Sequence, residues 1–202
     1  MHLFFKAQGI QKPVLIGASD GSMVAQLFTQ KYPQEVGGLV LLSAGGMDAG
    51  TLASLKRKYR AAPLMLSYMK HCNYEKLKPK LIEGGVAHAK HEPPQRQAYA
   101  REMFTQVFAE YTQEKDVHVT GLLVDLLHQT PVTPANFAHL EGRVLLMLPT
   151  KDFFTPRMQE ALVGLMPHPQ VEWIEGGHIA TVLRPELYLP RIRAFLAQLP
   201  RE

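Results

Sequence analysis

Short apolar runs closed by Gly, Pro or Asp are what most constrain the fold of this chain. "PVLIGAS" (13–19), "GLVLLSA" (38–44) and "RVLLMLPT" (143–150) are clear, and "QVEWIEG" (170–176) is a weaker fourth. The first and third are almost continuously hydrophobic, without apolar–polar alternation. A strand with one solvated face alternates at every second residue, whereas a strand covered on both faces does not. The runs therefore predict a mostly parallel sheet flanked by helices.

Helical patterns fill the intervals. "GSMVAQLFTQKYP" spaces Met23, Ala25/Gln26, Leu27 and Phe28 for a helix that must stop before Pro33, since the residue preceding a proline avoids the α region. "TPRMQEALVGLMP" offers Thr155 as N-cap, Pro156 at the first helical position and Met158, Leu162 and Leu165 on one face. "PRIRAFLAQL" predicts a last helix starting at Pro190 and burying Ile192, Phe195, Leu196 and Leu199. The two ends thus read strand–helix–strand and strand–helix–strand–helix, an α/β organisation with right-handed crossovers. Residues 47–141 contain no convincing strand and several amphipathic segments, among them "PPQRQAYAREMFTQVFAEYTQ" and "VTGLLVDLLHQ". The expected organisation is a core begun by 1–46, a helical lobe inserted at 47–141, and a core completed by 142–202. With 202 residues, 46% of them apolar and 20% charged, the chain can bury one core and carries no composition of disorder.

Within this frame one pattern carries chemistry. Gly17-Ala18-Ser19-Asp20-Gly21 is a G-x-S-x-G sequence with a strand before it and a helix after it. That context is a nucleophile elbow, in which the serine sits on a sharp turn and glycines two residues either side allow strand and helix backbones to approach. The helix N-terminus would set the backbone N–H of Asp20 where an oxyanion forms. Only Ser19 has glycine at both flanking positions, so Asp20 is not the nucleophile. A serine hydroxyl needs a base, and the base needs an orienting acid. In parallel sheets both come from loops beyond the carboxyl ends of strands. Asp152 follows the "RVLLMLPT" run, and His178 follows "QVEWIEG" on a Gly-Gly loop. The bland alternatives are a helix-capping aspartate and an ordinary loop histidine. His88, His91 and Glu92 are close in sequence, but no H-E-x-x-H motif or cysteine supports a metal there, and no cofactor or metal is expected.

Three segments, "GASDG", "PTKDFFTP" and "EGGHIATVLRPE", together with the "GLVLLSAGG" strand and the helical stretch after it, resemble the α/β-hydrolase fold superfamily. The resemblance spans nearly the whole chain and is most specific over 12–46 and 143–198. It implies Ser19 as nucleophile, His178 as general base, Asp152 as its orienter, the Asp20 N–H as one oxyanion donor, and Asp48 as a backup acid. It also implies that 47–141 is a cap. Family members carry further strands before the elbow, including a loop that supplies a second oxyanion N–H. Here "HLFFKAQGIQK" resembles the helix just preceding the nucleophile strand. The expectation is an N-terminally truncated chain that lacks the first strands, exposes a sheet edge open to self-association, and loses about a hundredfold or more in turnover with the missing donor.

The function expected is hydrolysis of a small ester, thioester or amide through an acyl-enzyme. C–C bond hydrolases and acyltransferases share the scaffold, and a non-catalytic binding module is the alternative from another class. The elbow serine disfavours dehalogenases and epoxide hydrolases, which resemble this fold but use aspartate there. Net charge is +4, with a local excess of six positive charges between Asp48 and Lys80. That run reads as a solvated helical face; the alternative is attraction of anionic substrates. No aromatic residues interleave with it as nucleic-acid stacking would need, so nucleic acid is not an expected partner. A single cysteine, no signal peptide and no membrane-span run make cytoplasmic the simplest location.

Overall fold

Each apolar run forms a strand. In the computed structural model, which describes residues 1–200, β1 (Val14–Ala18), β2 (Gly38–Leu42), β3 (Val144–Lys151) and β4 (Gln170–Gly177) make one parallel sheet in the order β1-β2-β3-β4. Ten α-helices accompany them among the described residues: α1 (His2–Gln8), α2 (Asp20–Lys31), α3 (Ala49–Lys58), α4 (Ala62–His71), α5 (Tyr74–Val86), α6 (Pro94–Ala109), α7 (Gln113–Leu126), α8 (Pro156–Leu165), α9 (Ala180–Leu183) and α10 (Pro185–Gln198). The chain is thus an α/β structure with a parallel sheet flanked by helices.

The unbroken hydrophobicity of the central strands has a direct cause. Alternate residues of one strand feed two different cores. Leu39, Leu41, Val144, Leu146 and Leu148 pack with Met23 and Phe28 of α2, Leu52 and Leu55 of α3, and Leu162 of α8. Val40, Leu42, Leu145 and Met147 face the other way, onto Ala180 of α9 and Tyr188 and Phe195 of α10. Every residue of β2 and the first six of β3 are buried. At about 1.5–3 kcal/mol per buried large aliphatic side chain, these two strands anchor the fold.

The edge strands differ. In β1, Leu15 is buried but Ile16 is 54% exposed, and no strand pairs with the outer edge of β1 among the described residues. In β4, Trp173 is 52% exposed, which explains why this run reads as the weakest strand.

One helix departs from expectation. α10 begins at Pro185, not Pro190, and Pro190 lies inside it. Pro185 supplies a start with its pre-set φ, and burial of Tyr188 and packing of Leu187 against the core hold the extra turn despite the missing Pro190 donor.

Residues 47–141 contain α3–α7 and short 3₁₀ turns but no strand. Polar anchors fasten this segment. The Tyr74 hydroxyl donates to Asp116 Oδ2 at 3.0 Å, and the Gln113 amide donates to the carbonyl of Met69 at 2.5 Å. Glu92, whose side chain is almost wholly buried, accepts from Arg184 Nε at 2.8 Å, tying the segment to the chain just after α9. Among the described residues no helix is long and apolar enough to cross a membrane.

Candidate active site

β1 ends at Ala18 and α2 begins at Asp20, leaving Ser19 alone to turn the chain. Its backbone is at φ 52°, ψ −118°, a region that non-glycine residues rarely occupy. Neighbouring hydrogen bonds hold it there. Ser19 N–H donates to Leu42 O at 3.0 Å, while the N–H and hydroxyl of Ser22 donate to Ser19 O at 2.9 and 2.5 Å. The flanking glycines are not equivalent. A Cβ on Gly17 would stand 2.4 Å from Gly21 O, so only glycine fits there, whereas a Cβ on Gly21 would meet nothing within 4 Å. The steric demand expected of both glycines therefore falls on Gly17, with the Gly21 backbone as the obstacle.

Asp152 and His178 each follow the carboxyl end of a strand, β3 and β4, on the same side of the sheet as Ser19. A register shift between Pro149 and Lys151 immediately precedes Asp152; such irregularities re-aim the strand end. The three side chains form one hydrogen-bonded chain. Ser19 Oγ lies 2.8 Å from His178 Nε2, and His178 Nδ1 lies 2.7 Å from Asp152 Oδ1. A carboxylate oxygen only accepts, so Nδ1 carries the proton and Nε2 is free to accept from the serine hydroxyl. The Asp152 side chain is fully buried, and Oδ1 also accepts from Phe154 N–H at 3.0 Å.

Asp48 takes no part in this chain. Its Oδ1 accepts from the N–H groups of Gly50 and Thr51 at 2.8 and 3.1 Å, capping α3. The structure thus brings Asp152, and not Asp48, to the histidine. The clustered His88, His91 and Glu92 do not converge either: Glu92 pairs with Arg184, and His88 turns toward His178, with ring centroids 5.5 Å apart. No group of three or more metal-ligating side chains occurs among the described residues.

Ser19, Asp20 and His178 open into a cavity of about 280 Å³. Met23 of α2, Leu55 of α3, Met65 of α4, Leu123 and Val124 of α7, and Phe153 and Phe154 beside Asp152 make most of its wall. Phe153 stands edge-on to the imidazole at 5.7 Å, and the Lys58 ammonium sits 3.7 Å from the centre of the Phe153 ring. Burial depresses the pKa of Lys58 and of His88, and the charge on His178 lowers His88 further. Burial raises the carboxyl of Asp20, against the opposing pull of His178. Of the basic run, Lys56, Arg57, Lys58, Arg60, Lys70, Lys76 and Lys80 are exposed, while Lys78 is half-buried beside Glu75 and the Tyr74 ring.

Sequence reasoning missed most of this wall. Phe153 and Phe154 adjoin Asp152 and could have been named from position. In sequence His88 stands beside His91 and Glu92, away from any strand end, with nothing to place it at the site. Leu123, Val124, Tyr59 and Met65 carry no motif, because an apolar side chain on a helix reads the same whether it faces a core or a cavity.

The sequence profile of the Alpha/beta hydrolase family matches residues 3–191. No curated protein matches the sequence. Solved structures share the fold at low identity. The enol-lactonase from Burkholderia xenovorans LB400 is similar with a TM-score of 0.71 and 12% identity, over 96% of this chain and 69% of its own. A hydrolase from Pseudomonas aeruginosa PA01 follows at 0.67 and 16%, over 96% and 68%. A thermophilic esterase from Thermogutta terrifontis gives 0.66 and 20%, over 97% and 69%. With the profile spanning nearly the whole length, and these structures overlaying almost all of it, the chain belongs to the alpha/beta hydrolase family.

Proposed function

We propose that this protein is a serine hydrolase that cleaves a small ester by an acyl-enzyme route, with Ser19 as nucleophile, His178 as general base and Asp152 as its orienting acid. The observation that carries the reading is the continuous hydrogen-bonded chain from Ser19 Oγ to Asp152 Oδ1, at 2.8 and 2.7 Å. The positive φ of Ser19 supports it as well, since strain of this kind is retained where a nucleophile must be presented.

In this mechanism Ser19 Oγ attacks the substrate carbonyl as its proton passes to His178 Nε2. The buried Asp152 carboxylate stabilises the imidazolium so formed. Asp20 N–H is one of the first-turn donors of α2 that lack an intrahelical acceptor, and it faces the developing oxyanion. Collapse of the tetrahedral intermediate breaks the C–O bond, and the alcohol leaves with the proton from Nε2. Water then enters by the same steps and frees the acid. Among similar structures, the names esterase and enol-lactonase both denote ester-type substrates, a lactone being a cyclic ester, which favours an ester over an amide. We further propose that 47–141 acts as a cap selecting the acyl group, because α3, α4 and α7 supply cavity wall.

The test is spectrophotometric hydrolysis of p-nitrophenyl butyrate. The reading expects saturable turnover that drops on the order of a thousandfold or more in Ser19→Ala. Equal rates in the two proteins would refute it and favour a binding role for the cavity.

A further inference from the structure

We propose that the Asp20 carboxylate is a substrate-recognition group, and that the ester this site takes carries an ammonium group close to its scissile carbonyl, as in an α-aminoacyl ester. The inference rests on the serine-hydrolase reading and deepens it by naming a substrate class.

Of the two carboxylates at the site, Asp20 is the one with no hydrogen-bond or ion-pair partner among the described residues, although it feels the charge of His178. Asp48 caps a helix, Asp116 accepts from Tyr74, and Asp152 accepts from His178. The Asp20 side chain lines the same cavity as Ser19 and His178, reached by solvent on one side and desolvated by the wall on the other. Its surroundings there are apolar, with Met23, Leu55 and Tyr59 among its neighbours on the wall. A carboxylate in such surroundings is held at a disadvantage, in line with its raised pKa. An acid at a helix start is favoured by the helix dipole, but that accounts for a carboxylate facing solvent, not for one opening onto the cavity.

Catalysis makes the lone charge matter more. Asp20 directly follows Ser19 and both line the same cavity, so its carboxylate shares that space with the oxyanion of a Ser19 adduct. A negative charge there opposes a second one forming beside it; the imidazolium formed on His178 offsets part of this, and a cation on the substrate beside Asp20 would offset more. An ammonium one carbon from the carbonyl meets that need. It would hydrogen-bond the carboxylate, neutralise the site and offset the repulsion in the transition state. Tyr59 and Phe153 both line the cavity, and the Lys58 ammonium already lies over both rings, 5.8 and 3.7 Å from their centres. No ion pair joins Lys58 to Asp20 among the described residues, so the carboxylate remains available. The remaining apolar wall fits a small aliphatic side chain on the acyl part.

The test compares L-valine benzyl ester with its des-amino analogue, benzyl 3-methylbutanoate, at a pH that keeps the amine protonated. The readout is the ratio of the two kcat/KM values within each protein, so any general loss of activity cancels. The proposal expects the wild-type ratio to favour the aminoacyl ester about ten- to a hundredfold, the worth of a charge-assisted contact. It expects a ratio near one in Asp20→Asn and an intermediate ratio in Asp20→Glu. A wild-type ratio near one overturns the proposal whatever the variants do, and so does a preference that survives in Asp20→Asn. Calorimetric titration of both esters into Ser19→Ala reads the same preference without turnover, with Ser19→Ala/Asp20→Asn as control. Preference in calorimetry with no wild-type turnover removes the hydrolase reading and keeps the recognition role. Turnover of both esters without preference does the reverse.

Discussion

The strand-borne part of the molecule and its helical segment are stabilised in different ways. β2 and β3 are buried almost throughout, and Leu39, Leu41, Leu145, Leu146 and Met147 have no exposed surface. Across α4–α7 few side chains are buried, while Leu64, Met65, Tyr68, Tyr99 and Leu122 remain substantially exposed. That segment is fastened instead by polar contacts, Tyr74 to Asp116 and Glu92 to Arg184. The difference separates two requirements. The hydrogen-bonded chain of Ser19, His178 and Asp152 is carried on the carboxyl ends of rigid strands, where small displacements matter most. Much of the cavity wall comes from thinly packed helices, which adjust and diverge at lower cost.

The largest effect tests the rigid side. Under the proposed mechanism His178→Ala lowers kcat by on the order of a thousandfold or more, measured on any ester the protein turns over, without loss of helical circular dichroism. Next comes packing. Leu146→Ala, at a site with no exposure, is expected to destabilise the fold by about 2–5 kcal/mol, whereas Leu64→Ala, 76% exposed on α4, should stay within about 0.5 kcal/mol. Urea midpoints check both, and similar values for the two would erase the contrast. Glu92→Gln tests the polar anchoring. It leaves the Arg184 guanidinium without its charge partner, with an expected loss of about 1–3 kcal/mol, together with faster amide exchange in α6 but not in β3.

The smallest effect concerns Asp20. Its carboxyl is raised above the ordinary value of 3.8 by burial, so the folded state prefers the protonated form. The stability this lends is present below the unfolded pKa and is lost as pH rises through the folded one. Asp20→Asn lacks the charge at every pH. Its Tm should therefore exceed that of the wild type at neutral pH, with the gap closing below about pH 4. A gap that widens on acidification would reverse the sign assigned here.

The same contrast explains what could be read from the sequence. The strands were legible because burial on both faces leaves no alternation, and Asp152 and His178 were legible because each stands just past such a run. Ser19 was legible from Gly17 and from its strand–helix setting, although its positive φ and the open space beside Gly21 were not. The early start of α10 was hidden because burial of Tyr188, a tertiary effect, outweighs the break expected at Pro190. His88 reaches the site through the placing of the chain around it, and Glu92 reaches Arg184 across the fold. Neither arrangement leaves a periodic trace.

The most direct measurement of the central claim is intact-mass and peptide-mapping analysis after reaction with a fluorophosphonate. The account predicts one stoichiometric adduct, on Ser19, that is lost in Ser19→Ala and forms far more slowly in His178→Ala. No adduct, or an adduct on another serine that persists in Ser19→Ala, would contradict it.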